Sequence, residues 1–335
     1  MTGGAGFIGQ HLIKRLAKEG VSYIDVIDNC SRCSAYEFML FYNDLKEEYH
    51  KIDFTFDLRD LTKQEYLLDS DFKNIDIVFH LASLVGSYQF YEEEKGRVAI
   101  ENNLMDLNVI QKAIECNVPY FAYASSTHVY AQRSGFKHHE EFLPLQRISD
   151  VGLSYGWAKL NTEKILEYNH DSFEGISIMR LNGIYGLGQD IDLNNGSVIP
   201  VLCHRVSSYP TNDVLLKTNG EEERCFCYID DCIDAMLLCV ENSKEKKNVP
   251  YNISSGNPIK IKEIAKKIIE VSEKDIELKL SNKSATLREQ NIPYDKIKKE
   301  LEWEPKIDMN DGLKRTYEDV NRRVKEKQIK PPSAK

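Results

Sequence analysis

Residues 1–20 read MTGGAGFIGQHLIKRLAKEG. Gly3, Gly6 and Gly9 stand three apart and lead directly into apolar Leu12, Ile13, Leu16 and Ala17, the spacing of one helix face, which Gly20 then ends. A glycine turn of this kind lets backbone approach a pyrophosphate closely. The helix start beside it, at Phe7 and Ile8, offers unpaired N–H groups and the positive end of the helix dipole.

Outward from that turn, VSYIDVIDN (21–29) is an apolar run ending in Asp28, nineteen positions past Gly9, with Asn29 next. An acid at that spacing binds ribose hydroxyls and repels a 2'-phosphate, so the pattern favours NAD; Arg32 nearby leaves NADP open. Only Met1 and Thr2 precede the glycines, whereas the buried central strand of such a sheet needs about five or six residues. The native protein is therefore expected to start upstream of Met1, which intact-mass measurement from the source organism tests.

With 41% hydrophobic residues among 335, the chain is long enough for one large core or two closely packed ones, and two lobes are expected. A net charge of -9 supplies no broad basic surface, which argues against nucleic acid as a main partner. No apolar run approaches the roughly 18 residues of a membrane span, and no signal peptide opens the chain, so a cytoplasmic protein with reduced thiols is expected. Cys30 and Cys33 form a CxxC without a second pair at zinc spacing, and Cys225 and Cys227 lie in a strand-like run. The cysteines read as structural and no metal is expected. Residues 326–335 read as a disordered tail.

Strand-like and helix-like segments alternate through FTFDLRD (54–60), IDIVFHLAS (75–83), a helix over 98–115, YFAYASS (120–126) and a helix from Ser154. This alternation predicts an α/β fold: a Rossmann doubly wound parallel sheet. Ligands sit at strand C-termini in such sheets, which places Asp57 and Leu58 at the adenine edge and Leu81, Ala82 and Ser83 at the cofactor crevice. Tyr155 and Lys159, in SYGWAK (154–159), are four apart and share a helix face, so the ammonium can favour the phenolate. That phenolate suits removal of a hydroxyl proton, with Ser126 of ASSTHVY (124–130) hydrogen-bonding the same oxygen.

Taken together with ENN (101–103), RLNGIYGLGQD (180–190), RCFCYIDDCIDA (224–235), YNISSGNP (251–258) and ELEWEPK (300–306), these motifs resemble the extended short-chain dehydrogenase/reductase family, in its NAD-dependent epimerase/dehydratase branch. The resemblance covers nearly the whole chain. It implies Ser126, Tyr155 and Lys159 as the catalytic triad, and NAD held by the glycine turn, Asp28, Asn29, Asp57, Leu58, the Leu81–Ser83 segment, Asn103, Tyr155 and Lys159. It also implies a nucleotide-diphosphate sugar bound by Ser126, Thr127 and Asn182, with Arg224 and Arg288 clamping the diphosphate through bidentate hydrogen bonds. Helices over 98–115 and 154–169 resemble the pair that forms a four-helix homodimer interface in the family.

Departures from the family pattern bear on the reaction. Gly183 stands where the family commonly has Asn, and Leu187 replaces a loop proline. Thr127 and His128 occupy the positions of the Asp–Glu pair of the sugar 4,6-dehydratases, which disfavours ordinary dehydration. The C3/C5 epimerase-reductases tend to carry a cysteine at the position of His128, so the histidine is a candidate second acid/base, against the plainer reading of a hydrogen-bonding side chain. The expected organisation is an NAD-binding domain of residues 1–174 and 224–255 with a smaller C-terminal α/β substrate lobe of 175–223 and 256–325. The expected activity is NAD-dependent epimerisation of a nucleotide sugar, most simply at C4. A dehydratase, decarboxylase or reductase of the same family is the first alternative, and a non-catalytic NAD-binding scaffold the second.

Overall fold

A computed structural model describes residues 1–130, 139–140, 153–211, 213–283 and 291–329. Six strands form the main parallel sheet in the order Asp53–Leu58, Tyr23–Asp28, Ile77–His80, Tyr120–Ser126, Gly175–Leu181 and Val249–Ile253. Between the second and third of these lies Thr2, bridged in parallel to Ile27 and to His80. Its N–H donates to the Phe79 carbonyl at 3.0 Å and its carbonyl accepts from Leu81 N–H at 3.0 Å, so these first residues occupy the central strand position and deliver the glycine turn to the sheet's C-terminal edge.

Alternation along the strands gives the sheet two apolar faces. Val78, Phe121, Tyr123, Ile176 and Ile178 pack with Met105, Val109, Ile110 and Leu166 of helices Lys95–Glu115 and Leu153–Tyr168. Phe79, Ala122 and Met179 pack on the other side with Leu12 of helix Phe7–Lys18 and with Ile233 and Met236 of helix Ile229–Glu241. The expected doubly wound sheet is observed.

The expected domain boundary at residue 174 is corrected: it falls immediately before strand Gly175–Leu181, which pairs on both sides within the sheet. The smaller lobe begins beyond that strand. Helices Val198–Ser207, Ile261–Val271 and Met309–Ile329 pack together there, with short pairings of Leu215–Leu216 with Lys279–Leu280 and of Glu223–Arg224 with Ile259–Lys260. Leu313, Tyr317, Val320 and Val324 supply one buried face of the last helix. That helix runs to Ile329, past the point at which a tail was expected to begin. Among the described residues no helix is long and apolar enough to cross a membrane, and no group of three or more side chains is arranged to hold a metal ion.

Candidate active site

A cleft of about 1460 Å³ runs along the sheet's C-terminal edge and between the lobes, room for a dinucleotide and a second ligand end to end. At one end, Gly3 has φ +70° and a Cβ there would meet Ala82 N at 2.5 Å, while a Cβ on Gly9 would meet Gly3 O at 2.6 Å. Only glycine permits this turn. Gly6 caps helix Phe7–Lys18 and supplies no side-chain cap to its first turn. Asp28 is fixed by Ala5 N–H at 3.0 Å and Cys30 N–H at 2.8 Å; burial raises its carboxyl, opposed by these backbone donors. Arg32, the candidate 2'-phosphate ligand, instead pairs with Asp190 at 3.1 Å across the cleft.

At the other end stand Ser126, Tyr155 and Lys159, all buried and all lining the cleft. Burial pushes the Tyr155 phenol up to about 12, opposed by hydrogen bonds with Ser83 and Ser126. Lys159 Nζ lies 4.6 Å over the Tyr123 ring and 5.8 Å over the Tyr155 ring, and among the described residues it has no hydrogen-bond partner. Buried N–H groups without an acceptor are costly unless a ligand in the cleft completes their hydrogen bonds. Ser126 Oγ is 3.0 Å from His128 Nδ1. The His128 ring meets Tyr155 edge-on at 5.4 Å, and Tyr91 stacks on Tyr155 at 5.4 Å, so three aromatic rings wall the catalytic end.

Gly3, Gly6, Phe7, Ile8, Gly9, Asp28, Asn29, Leu81, Ala82 and Ser83 all line this cleft, as do Thr127, His128, Asn182 and Arg224. Asp57 and Leu58 do not line it: Asp57 is paired to Arg59 at 2.6 Å and Leu58 is exposed, and Arg59 and Leu61 line the cleft instead. Asn103 is a correction. Its side chain donates to Ala99 O and accepts from Asn161 on the outer face of the helix pair. The preceding residue, Asn102, is the buried one: its Oδ1 accepts from Ser83 Oγ at 2.7 Å and Leu84 N–H at 2.8 Å, clamping the loop beneath Tyr155. Buried Val98, Met105 and Asp106 share the face of Asn102, so helical periodicity held the signal that separates the two asparagines.

Thr127 and Asn182 were expected to bind substrate, but their polar groups bond each other at 2.9 Å, and the Asn182 amide donates to Cys225 O and Ser254 Oγ. They brace the wall between the lobes. A Cβ at Gly183 would meet Cys225 O at 2.4 Å with φ +57°, so the family's asparagine does not fit there. Arg224, partly buried, lines the cleft with no salt-bridge partner among the described residues; burial lowers it and Glu222 is the opposing charge. Arg288 lies outside the described residues.

A glycine turn at a helix start, an acid on the next strand and a buried Ser–Tyr–Lys set define a dinucleotide-dependent enzyme. The family model described as the NAD dependent epimerase/dehydratase family matches residues 1–254, and the chain belongs to that family. The family's cofactor is NAD, and the turn without room for Cβ, the helix start without a side-chain cap at Gly6 and the Lys159 ammonium without a hydrogen-bond acceptor among the described residues all fit that group.

Relatives are distant and cover the chain almost completely. GDP-mannose 3,5-epimerase of Arabidopsis thaliana is 25% identical over 98% of this chain and 84% of its own. The dTDP-4-dehydro-6-deoxyglucose reductase of Escherichia coli is 27% identical over 96% of each. Among solved structures, UDP-glucose 4-epimerase of Thermotoga maritima with UDP-glucose superposes with a TM-score of 0.81 at 26% identity, covering 96% of this chain and 98% of that one.

Proposed function

We propose that this chain epimerises a nucleotide-diphosphate sugar by transiently oxidising a ring hydroxyl, most simply at C4, and returning the hydride to the opposite face. The observation that carries this reading is the buried Lys159 ammonium, without a hydrogen-bond acceptor among the described residues, beside Tyr155 at the inner end of the glycine-turn cleft. NAD, when bound, supplies the hydride acceptor and donor. Tyr155 removes the hydroxyl proton and later returns it. Lys159 favours the phenolate by its charge, and Ser126 donates to the same oxygen. Arg224 holds the diphosphate from the small lobe. Among family activities, 4,6-dehydration is the least supported, because Thr127 and His128 supply no carboxylate.

His128 supports a second reading. Its ring meets both Ser126 and Tyr155, where it can take a proton from a carbon next to the transient ketone, and the chain's relatives include GDP-mannose 3,5-epimerases. The two readings separate in D2O. The protein is incubated with UDP-, GDP-, dTDP- and CDP-sugars and the products are followed by proton NMR. Inversion at C4 without solvent deuterium and without NADH consumption is the expected result. Deuterium at the inverted carbon, lost in His128→Asn, selects the second reading, and no product across the panel despite bound NAD overturns both.

We further propose a homodimer through helices Lys95–Glu115 and Leu153–Tyr168, supported by exposed Ile100, Leu104, Leu107 and Trp157 on their outer faces. We propose a reducing, cytoplasmic setting, supported by eight cysteines that form no disulfide with one another.

A further inference from the structure

One buried carboxylate plays no part in the chemistry above. Asp106, on the inner face of helix Lys95–Glu115, accepts from the Tyr123 hydroxyl at 2.6 Å and the Thr162 hydroxyl at 2.7 Å, and lies 2.8 Å from His80 Nε2. His80 Nδ1 in turn meets Thr2 Oγ1 at 2.6 Å, so the connected groups start one residue before the glycine turn and end under the catalytic helix. None of these partners is a lysine or arginine. A carboxylate so enclosed is costly unless a cation balances it. Lys159 Nζ sits over the ring of Tyr123, the residue whose hydroxyl holds Asp106. Burial raises the Asp106 carboxyl, but the charge of Lys159, ahead of the hydrogen bond and charge of His80 and the hydrogen bond from Tyr123, outweighs it and holds the group below its usual range.

The groups around Lys159 are Asp106 from the neighbouring helix, whose carboxylate lies 2.8 Å from His80, Tyr123 from the strand, and Tyr155 and Glu163 from its own helix. Glu163 is committed to Arg180, which it meets at 3.0 and 2.6 Å. Asp106 is therefore the anion left to balance the lysine. We propose that Asp106 is a positioning residue that keeps the Lys159 ammonium charged inside the cleft, so that the lysine can act on Tyr155. The catalytic consequence rests on the function proposed above. Burial lowers the Lys159 ammonium, and Asp106 opposes that most strongly, ahead of Glu163. Asp106 also raises the Tyr155 phenol directly, so activity mixes two opposed effects and the test must read the lysine itself.

Asp106→Asn removes the charge and keeps the shape. The amide oxygen still accepts from Tyr123 and Thr162, and its NH2 donates to His80 Nε2 when that nitrogen carries no proton. In protein labelled with carbon-13 at lysine Cε, the Lys159 signal is identified by its loss in Lys159→Met and titrated by NMR without substrate. The expected result is a midpoint lower by at least about one pH unit in Asp106→Asn, roughly tenfold in the protonation ratio. An unmoved midpoint overturns the proposal. Thermal unfolding of the two single variants and the double variant gives an independent reading. Balance predicts that Asp106→Asn lowers Tm much less when Lys159→Met is already present, and that adding Lys159→Met restores folding if Asp106→Asn alone fails to fold. Equal losses in both backgrounds, or no restoration, mean that Asp106 is structural only. Neither reading needs a sugar substrate, so their failure is distinct from failure of the epimerase assignment.

Discussion

Tyr155 holds its proton at neutral pH as long as only protein groups surround it, because burial pushes it up to about 12 against the hydrogen bonds from Ser83 and Ser126. The active form is the deprotonated one, so a raised value leaves less base at neutrality and the base fraction grows about tenfold per pH unit. From mildly acidic pH upward, kcat/KM should climb with that slope and flatten once the base is ionised in the loaded enzyme; a flat profile would assign proton removal elsewhere. Tyr155→Phe should lose about 10²–10⁴-fold in turnover while retaining stoichiometric NAD, measured as dinucleotide released on denaturation. Arg224 serves a different step. Arg224→Met removes charge-assisted hydrogen bonds to the diphosphate, each about 1.5–3 kcal/mol, and should raise KM by at least about tenfold with a smaller change in kcat, read from steady-state kinetics.

At the next scale, the glycine turn is an element whose function and stability share one geometry. Gly9→Ala would drive a methyl to within 2.6 Å of Gly3 O and Gly4 O, displacing the helix start from the pyrophosphate position. NAD affinity should fall by more than about tenfold, with about 1–3 kcal/mol of stability lost to overpacking; calorimetric titration and urea unfolding measure the two. Elements whose residues repeat a local period were legible in the sequence: the turn and its helix, the alternating strands, and the Tyr155–Lys159 face of helix Leu153–Tyr168. Contacts that close over long sequence separations were not. Thr127 meets Asn182 across 55 positions, and Arg32 meets Asp190 over a longer interval still, so neither the bracing of the wall nor the occupied Arg32 follows from local pattern. The sequence points to Asn103, whereas the structure buries Asn102, and a one-residue step on a helix turns a side chain from the core to the outer face. Asp106 escaped notice because a carboxylate amid apolar residues reads as a solvated charge until the Tyr123 and Thr162 hydroxyls are brought to it.

For the whole molecule, one helix pair faces two ways. Inward, helix Leu153–Tyr168 presents Tyr155 and Lys159 to the cleft, and helix Lys95–Glu115 presents Asn102 and Asp106 behind them. Outward, Ile100, Leu104, Leu107 and Trp157 are between 41% and 62% exposed on the same two helices, an apolar surface that an isolated chain leaves in water. Packing this face on its counterpart in a second copy, about a two-fold axis, would bury it within four helices and stiffen the helix that carries the catalytic pair. The protein should therefore sediment as a dimer at micromolar concentration. Leu104→Glu combined with Trp157→Glu should convert it to a monomer, because carboxylates brought together across a self-matched face repel and lose their hydration. Turnover per chain should fall in the same variant, whereas Arg224→Met, remote from these helices, should reduce substrate binding and leave the dimer intact. Wild-type protein that sediments only as a monomer in this range would remove the dimer and leave the exposed face unexplained, without touching the chemistry of the cleft.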